Sequence, residues 1–216
     1  MRAGAIFDMD GLLFDTERLY QDSWEVMAHE FGLIHDPDFP KAVCGTSGVH
    51  MHEVIHSYYP TVDAAAFAQG CIDRVDHITQ TAVPVKNGAQ EILQFFHENG
   101  VKIAVASSSP KDTIEHHLEL TGLKQYFDAV VSGQDVTHGK PKPDIFLLAA
   151  DMLQLSPQDC YVFEDGINGV KAGIAAGCAT VMIPDLTPPT QLCEQHCVGI
   201  FRNLSEAKRE IAQNKL

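Results

Sequence analysis

Two aspartates separated by one residue follow the first apolar run of the chain. Residues Ala3–Phe7 predict a buried strand, and Asp8, Asp10 and Gly11 come directly after it. Because residues i and i+2 of an extended segment lean to the same side, both carboxylates can converge on one cation. Two like charges buried this close together are costly unless a metal or a proton compensates them. The motif therefore indicates a site for a hard divalent cation, with Mg²⁺ as the leading candidate.

A second apolar run ends in the same way further along the chain. Tyr161–Phe163 predict another buried strand, and Glu164, Asp165 and Gly166 follow it. In open α/β sheets, ligands bind outside the carboxyl ends of parallel strands. Two acidic strand ends in one chain are therefore hard to explain as chance.

Two further segments carry groups that suit a bound phosphate. A cluster of three serines, Ser107, Ser108 and Ser109, ends a predicted strand just before a helix. Hydroxyls and free backbone N–H groups there can hold an anion, although serines in this position also serve as helix caps. Lys140 and Lys142 stand among prolines, which fix the backbone and so hold an ammonium in place. A solvated turn is the alternative interpretation of the lysine segment. Taken with the acids, these groups indicate phosphoryl transfer.

The elements that must position these residues alternate between strands and helices after residue 82. Strands are predicted at Ala3–Phe7, Val101–Ala106, Ala129–Ser132, Tyr161–Phe163 and Thr180–Ile183. Helices are predicted over residues 88–99, 111–121, 144–153, 167–176 and 205–216. This alternation predicts an α/β fold with a doubly wound, mostly parallel, Rossmann-like sheet. Residues 16–81 are almost entirely helical in pattern and interrupt the alternation. We therefore expect a core domain of residues 1–15 and 82–216 and an inserted α-helical cap domain of residues 16–81.

Composition and charge restrict the partners of the chain. The formal net charge is −14 over 216 residues, which argues against binding to nucleic acid or to anionic membranes, since both need a basic face. The chain lacks a run of about 18 apolar residues, and Asp8 and Asp10 interrupt the first apolar run too early for a signal peptide. We expect a cytoplasmic protein. The six cysteines are scattered without a disulfide framework, and Cys193 and Cys197 lack a second ligand pair for a metal.

The motifs together resemble those of the haloacid dehalogenase superfamily. The resemblance is to its subgroup of phosphatases and sugar-phosphate mutases with a helical cap after the first strand. Its four motifs occur in order as Asp8-Met9-Asp10-Gly11, Ser107, Lys140 within Gly-Lys-Pro-Lys-Pro-Asp, and Glu164-Asp165. The similarity covers nearly the whole chain, and the four motifs are specific as a set.

The resemblance implies roles for the two aspartates of the first motif and for the phosphate-binding groups. Asp8 matches the nucleophile that takes the phosphoryl group as an aspartyl-phosphate, and Asp10 matches the general acid and base. Ser107, Ser108 and Lys140 would hold the transferring phosphate. Lys140 is preferred to Lys142 because the family lysine directly precedes the first proline.

The resemblance also implies Mg²⁺ as the cofactor and narrows its ligands. Asp8 and Asp165 would bind the metal through their side chains, and Glu164 would bind it directly or support a ligand. Asp10 would contact it through its backbone carbonyl, so only Asp8 of the first pair would ligate by its carboxylate.

The cap segment is where we expect substrate contacts. Thr16 matches the hinge into the cap, and Tyr20, Thr46, Ser47 and His50 are candidates to contact the substrate. Ser47 could instead cap a helix that is followed by surface histidines.

Two cap positions bear on the choice between hydrolysis and mutase chemistry. In β-phosphoglucomutase-like members, a histidine stands at the position of Tyr20 and an arginine at that of Gly48. Their absence favours hydrolysis of a small sugar or nucleotide monophosphate. The alternatives are a sugar-phosphate mutase and a catalytically silent binding protein on this fold.

We expect the protein to act as a monomer or a homodimer.

Overall fold

The computed structural model describes residues 1–44, 46 and 48–213, and its strands form one parallel sheet. The strands are β1 (Gly4–Phe7), β2 (Lys102–Ser107), β3 (Ala129–Ser132), β4 (Cys160–Glu164), β5 (Ala179–Met182) and β6 (Gly199–Ile200). Their order in the sheet is β3-β2-β1-β4-β5-β6. Strand β1 lies in the middle of the sheet, with β2 and β3 on one side of it. After β3 the chain crosses to the other side of β1 and forms β4, β5 and β6. The direction of winding reverses between β1 and β4, which is where such sheets place their ligand crevice.

The helices follow the strand–helix alternation predicted from the sequence. The helices that accompany the sheet are α5 (Ala89–Glu98), α6 (Lys111–Leu120), α7 (Asp144–Met152), α8 (Ile167–Ala176), α9 (Gln191–His196) and α10 (Leu204–Ala212). The other helices are α1 (Thr16–Glu30), α2 (Phe39–Val43), α3 (Gly48–Tyr58) and α4 (Ala64–Thr79). The predicted doubly wound α/β fold is confirmed. The short elements α9 and β6 were not predicted.

Strand β1 lies at the centre of the sheet because its side chains can be buried on both faces. Ile6 packs in one apolar cluster with Val162 of β4 and with Ile145 and Phe146 of α7. On the other face, the Phe7 ring stacks on Phe163, with 4.6 Å between their centroids and 7° between their planes. A strand covered on both sides is stable only if nearly every residue is apolar, as the sequence of β1 is.

The register of the sheet brings three strand ends to the same level. Phe7 lies opposite Val105 of β2 and Phe163 of β4. The backbone N–H of Asp8 then donates to the carbonyl oxygen of Phe163 at 3.0 Å. The residues that follow β1 and β4 and those that end β2 are therefore neighbours at the carboxyl edge of the sheet.

Residues Asp15–Val83 form a separate compact unit, and the sheet belongs to the unit of residues 1–14 and 84–216. Helices α1–α4 of the smaller unit share an aromatic core in which Trp24 stacks on Phe67 at 5.7 Å and Phe39 packs edge-on against Tyr59 at 4.9 Å. The helical character predicted for residues 16–81 is observed, and their assignment as a cap domain stays a prediction. Over the described ranges, no helix is both long enough and apolar enough to cross a bilayer.

Candidate active site

Asp8 lies directly after β1 and is 7% exposed. A tight turn follows it, in which the N–H of Leu13 donates to the carbonyl of Met9 at 2.9 Å and the N–H of Gly11 donates to that of Phe14 at 2.9 Å. Gly11 has a φ of +80°, a backbone conformation that favours glycine. The glycine of the first motif therefore allows the chain to turn back immediately after the two aspartates.

The Lys140 ammonium joins the two acidic strand ends. It donates to Asp8 Oδ1, to Glu164 Oε1 at 2.6 Å and to the carbonyl oxygen of Ala106 at 3.3 Å. It also lies 5.1 Å from the centroid of the Phe146 ring. An ammonium has three donors, so all three are used here. Its position between two carboxylates distinguishes Lys140 from Lys142, which is exposed.

Three carboxylates meet at this edge of the sheet. Oxygen atoms of Asp8, Glu164 and Asp165 all lie within 4.8 Å of one another, and no other such group of three metal-binding side chains occurs among the described residues. When ionised, the three carboxylates carry three negative charges, of which the Lys140 ammonium offsets one, so two remain. The resemblance implied that Asp8 and Asp165 share a metal ion; the structure brings their carboxylates together, and their role as ligands stays a prediction.

The buried acids and the lysine shift each other's protonation. Burial raises the pKa of Asp8 well above its usual range, the charges of Glu164 and Asp10 raise it further, and Lys140 only partly opposes this. Burial by itself lowers the pKa of Lys140, but the charges of Asp8 and Glu164 outweigh it and raise that pKa above its usual range. The lysine is therefore an ammonium at neutral pH, whereas a negative charge on Asp8 is held at a cost in free energy.

The Glu164 carboxylate lies against the start of helix α8, and glycine makes this approach possible. Its Oε2 accepts the backbone N–H groups of Asp165 at 3.1 Å and of Gly166 at 3.3 Å. A Cβ atom at Gly169 would lie 1.7 Å from Glu164 Oε1, far inside van der Waals contact. Gly169 is thus the residue that leaves room for this carboxylate.

Asp10 is held by hydroxyls from the end of β2. Its Oδ2 accepts the hydroxyl of Ser107 at 3.2 Å and that of Ser109 at 2.8 Å. Ser107 is fully buried, and its oxygen also accepts the backbone N–H of Ser109 at 3.0 Å. Ser108 lies between them and is exposed. Asp10 and Ser107, which belong to different motifs, are therefore in direct contact.

The residues predicted to contact the substrate lie in the smaller unit. Thr16 is buried at the first position of α1, and the carbonyl of Tyr20 accepts the thiol of Cys71 at 3.9 Å. The hydroxyl of Thr46 donates to the carbonyl of Val43 at 2.6 Å. The exposed His50 places its Nδ1 3.3 Å from Glu53 Oε2. Ser47 lies outside the described residues, and a substrate-binding role for these five positions stays a prediction.

Sequence reasoning missed three residues that shape this site. Ser109 stood in the serine cluster without a role, Ser132 was read only as the last residue of a strand, and Gly169 was not singled out. A glycine four residues after a strand-ending acid pair, in the first turn of a helix, is a usable signal of close approach. The contacts of Ser109 and Ser132 depend on the register of β2 and β3, which the sequence does not reveal.

Comparisons with known proteins agree with this arrangement. The family model of the haloacid dehalogenase-like hydrolases matches residues 3–177. A phosphorylated carbohydrates phosphatase of Thermotoga maritima is 31% identical over 91% of this chain and 93% of its own length. A fructose-1-phosphate phosphatase of Escherichia coli is 33% identical over 81% of this chain and 93% of its own.

Solved structures show the same fold over the whole chain. The crystal structure of a β-phosphoglucomutase from Clostridium difficile superposes with a TM-score of 0.78 at 25% identity, covering 100% of this chain and 97% of that one. The predicted enzyme class, a phosphoric monoester hydrolase, is confirmed by the phosphatases among the sequence relatives. From its motifs, its sheet and these matches, the chain belongs to the haloacid dehalogenase-like hydrolase family.

Proposed function

We propose that the protein is a Mg²⁺-dependent phosphatase that hydrolyses a small phosphorylated metabolite through an aspartyl-phosphate on Asp8. The observation that carries this proposal is the cluster in which Lys140 bridges Asp8 and Glu164 beside Asp165, at the carboxyl edge of the sheet. Sugar monophosphates are the first candidate substrates, because relatives covering most of the chain act on phosphorylated carbohydrates and on fructose 1-phosphate. Nucleotide monophosphates are the second.

In the first step, Asp8 receives the phosphoryl group. A carboxylate oxygen of Asp8 forms a bond to phosphorus as the bond from phosphorus to the ester oxygen breaks. Asp10, as a carboxylic acid, gives its proton to that ester oxygen, and the product leaves as a neutral alcohol. The hydroxyls of Ser107 and Ser109 hold Asp10 beside β2 and so fix the direction from which this proton comes.

In the second step, water releases the phosphate. Asp10, now a carboxylate, takes a proton from a water molecule whose oxygen attacks the phosphorus. The bond from phosphorus to the Asp8 oxygen breaks, inorganic phosphate leaves, and the carboxylate of Asp8 and the acid form of Asp10 are restored. The same residue thus acts as acid and then as base.

The phosphate charge needs placed donors, because the chain as a whole is strongly acidic. Lys140 is held as an ammonium by two carboxylates, and the buried Ser107 and the exposed Ser108 lie at the end of β2. These donors would bind the phosphoryl oxygens and stabilise the charge that spreads over them in the transition state. Lys140 would do so by exchanging its long, 3.3 Å contact with the carbonyl of Ala106 for a phosphoryl oxygen.

The three carboxylates of Asp8, Glu164 and Asp165 have the chemistry of a magnesium site. Its donors are hard carboxylate oxygens, which Mg²⁺ prefers, and their excess of two negative charges matches a divalent cation. Asp8 and Asp165 would hold the ion through their side chains and Asp10 through its backbone carbonyl, with Glu164 as a ligand or as the support of one. When bound, the ion neutralises phosphate charge and so allows a carboxylate to approach an anion.

A sugar-phosphate mutase is the second candidate, because the whole chain superposes on a β-phosphoglucomutase. Tyr20 and Gly48 stand where that group is expected to carry its histidine and arginine, and the sequence relatives above are phosphatases. These observations favour hydrolysis.

Release of inorganic phosphate from a panel of sugar and nucleotide monophosphates tests the proposal. With Mg²⁺ we expect at least one substrate to turn over with a kcat/KM above about 10⁴ M⁻¹s⁻¹, and no turnover after EDTA treatment until Mg²⁺ is restored. Equal activity with and without the metal would contradict the Mg²⁺ requirement. Absence of phosphate release from every phosphomonoester would contradict the function.

A further inference from the structure

We propose that Ser109, fixed in place by Ser132, is a positioning residue that keeps Asp10 in line for proton transfer. The inference rests on the proposed role of Asp10 as general acid and base. It adds a residue that lies outside the four motifs, and it assigns a function to the end of β3, which contributes none of the predicted site residues.

The contact of Ser109 with Asp10 is the shorter of the two hydroxyl contacts. Ser109 Oγ donates to Asp10 Oδ2 at 2.8 Å, whereas Ser107 Oγ donates to the same oxygen at 3.2 Å. Both bonds reach one carboxylate oxygen. The Asp10 side chain is only partly buried, and these two bonds restrict its torsion angles.

Of the two hydroxyls, Ser109 is the one that can serve Asp10 throughout the reaction. A serine hydroxyl has a single proton to donate. Ser107 is proposed to donate to the phosphoryl group, and while it does so it cannot donate to Asp10. The hydroxyl of Ser109 can then still donate to Asp10 Oδ2 and keep the acid in position.

Ser109 is itself held from the neighbouring strand. The hydroxyl of Ser132, the last residue of β3, donates to the carbonyl oxygen of Ser109 at 2.7 Å. Ser132 is fully buried, its oxygen accepts the N–H of Gln134 at 3.1 Å, and its own N–H donates to Asp135 Oδ2 at 2.9 Å. A buried hydroxyl with both its donor and an acceptor function engaged has one orientation.

Close backbone packing supports the same segment. A Cβ atom at Gly133 would lie 3.0 Å from the carbonyl oxygen of Ser108 and 3.1 Å from its Cα. The loop after β3 therefore lies directly against the loop after β2. The chain of contacts runs from Asp135 through Ser132 and Ser109 to Asp10.

Ester substrates with different leaving groups distinguish a positioning role from a binding role. A sugar or other alkyl phosphate needs protonation of its leaving oxygen, whereas 2,4-dinitrophenyl phosphate has a leaving group stable enough to depart without it. The value of kcat/KM reports the steps up to departure of this group, so it isolates the acid function of Asp10.

For Ser109→Ala we expect kcat/KM to fall by about 10- to 100-fold on the alkyl phosphate, since a displaced acid loses much of its catalytic effect. On 2,4-dinitrophenyl phosphate we expect a fall of less than about 3-fold. Ser109→Thr, which keeps the hydroxyl, should restore most of the loss. In an Asp10→Asn background, Ser109→Ala should cause no further loss, because the group that it positions is already inactive.

Ser132→Ala should lower alkyl phosphate turnover in the same selective way, with a smaller effect. The matched control is Thr180→Val, which removes another fully buried hydroxyl, that of a residue on β5, and should change neither substrate's kcat/KM. Equal losses of Ser109→Ala on both substrates would show that Ser109 binds the phosphoryl group instead. Losses that add to those of Asp10→Asn would also overturn the proposal.

A crystal structure of Ser109→Ala tests the same point without relying on turnover. We expect the Asp10 carboxylate to leave the position seen beside β2, while Asp8, Lys140 and Glu164 stay in place. An unchanged position of the Asp10 side chain in this structure would overturn the proposal. Failure of the wild-type enzyme to hydrolyse any of the tested esters would instead count against the proposed function alone.

Discussion

Burial of Asp8 carries an electrostatic cost, which the role proposed for this residue explains. Asp8 is 7% exposed, and its carboxylate shares one lysine with Glu164, beside a third acid, Asp165. Burial raises its pKa well above the usual value, so the ionised form is less stable in the folded chain than in the unfolded one. A residue that must meet an anionic phosphate needs a cation to offset this cost, which is the physical argument for the metal.

The first prediction concerns Asp8→Asn. The amide removes the nucleophile, so turnover should fall by several orders of magnitude on every phosphomonoester. An unchanged circular dichroism spectrum would show that the fold is retained. Survival of more than about a tenth of wild-type turnover would remove Asp8 from the mechanism, since a lost nucleophile costs far more than that.

The second prediction concerns stability and pH in the absence of metal. A carboxyl group with a raised folded-state pKa contributes stability that is complete below its unfolded pKa and is lost as the pH rises through the folded value. In EDTA at neutral pH, Asp8→Asn should therefore melt at a higher temperature than the wild type, and the difference should shrink as the pH falls towards the usual aspartate range. A lower melting temperature for the variant at neutral pH would contradict the direction of this shift.

The third prediction concerns Asp10→Asn, which keeps the shape of the side chain but cannot transfer a proton. Its kcat/KM on alkyl phosphates should fall by about 10²- to 10⁴-fold, with a far smaller fall on 2,4-dinitrophenyl phosphate. Because the expected metal contact is the backbone carbonyl of Asp10, Mg²⁺ affinity measured by calorimetry should be nearly unchanged. A large loss of Mg²⁺ affinity would show that the carboxylate is a ligand and that the role is misassigned.

At the scale of elements, the site depends on three strands that end at one level and on helices that begin close to them. The acids follow β1 and β4, the serines end β2, and Lys140 precedes α7. Helix α8 approaches so closely that Glu164 has room only because residue 169 has no side chain. The helix is thus part of the site although its own side chains contribute none of the catalytic groups proposed here.

The fourth prediction concerns Gly169→Ala. The added Cβ would overlap the Glu164 carboxylate, so either this carboxylate or α8 must move. We expect a loss of at least about 10-fold in kcat/KM, since an angstrom of misplacement near the reacting groups has such effects, together with weaker Mg²⁺ binding. Gly139→Ala is the matched control, because a Cβ there meets nothing within 4 Å. Equal activity of the two variants would contradict this account of Gly169.

Which elements could be predicted depended on their length and patterning. The buried strands β1, β2 and β4 were predictable because each contains a short apolar run that is followed by polar residues. Helix α9 and strand β6 were not predicted. The strand has only two residues, Gly199–Ile200, which are too few to show any periodicity. The acids and Lys140 could be grouped from motif order, whereas the Ser132–Ser109–Asp10 contacts required the sheet order and register.

At the scale of the whole molecule, the chain combines a doubly wound unit that carries the motif residues with a helical unit, Asp15–Val83, that carries the predicted substrate contacts. The helical unit is poor in cations, with Arg18, Lys41 and Arg74 as its only lysines and arginines. A mutase has to hold a second phosphate while its intermediate reorients. A shortage of cations in this unit therefore favours a monophosphate as the substrate and water as the acceptor.

The fifth prediction follows from this balance. Incubation with β-glucose 1-phosphate and β-glucose 1,6-bisphosphate should yield little glucose 6-phosphate. The best monophosphate substrate should be hydrolysed without a bisphosphate activator and should give phosphate and alcohol in equal amounts. Formation of the isomer faster than phosphate would establish the mutase, and Tyr20 and Gly48 would then need other roles.

The central claim, that a phosphoryl group passes through Asp8, is tested most directly by trapping it. The Asp10→Asn variant is mixed with Mg²⁺ and 2,4-dinitrophenyl phosphate, quenched in acid and digested, and its peptides are mapped by mass spectrometry. We expect a burst of dinitrophenol and one hydroxylamine-labile phosphoryl group on the peptide that contains Asp8, absent when Asp8→Asn is added. A burst without protein-bound phosphate, or a phosphoryl group on another residue, would contradict the account.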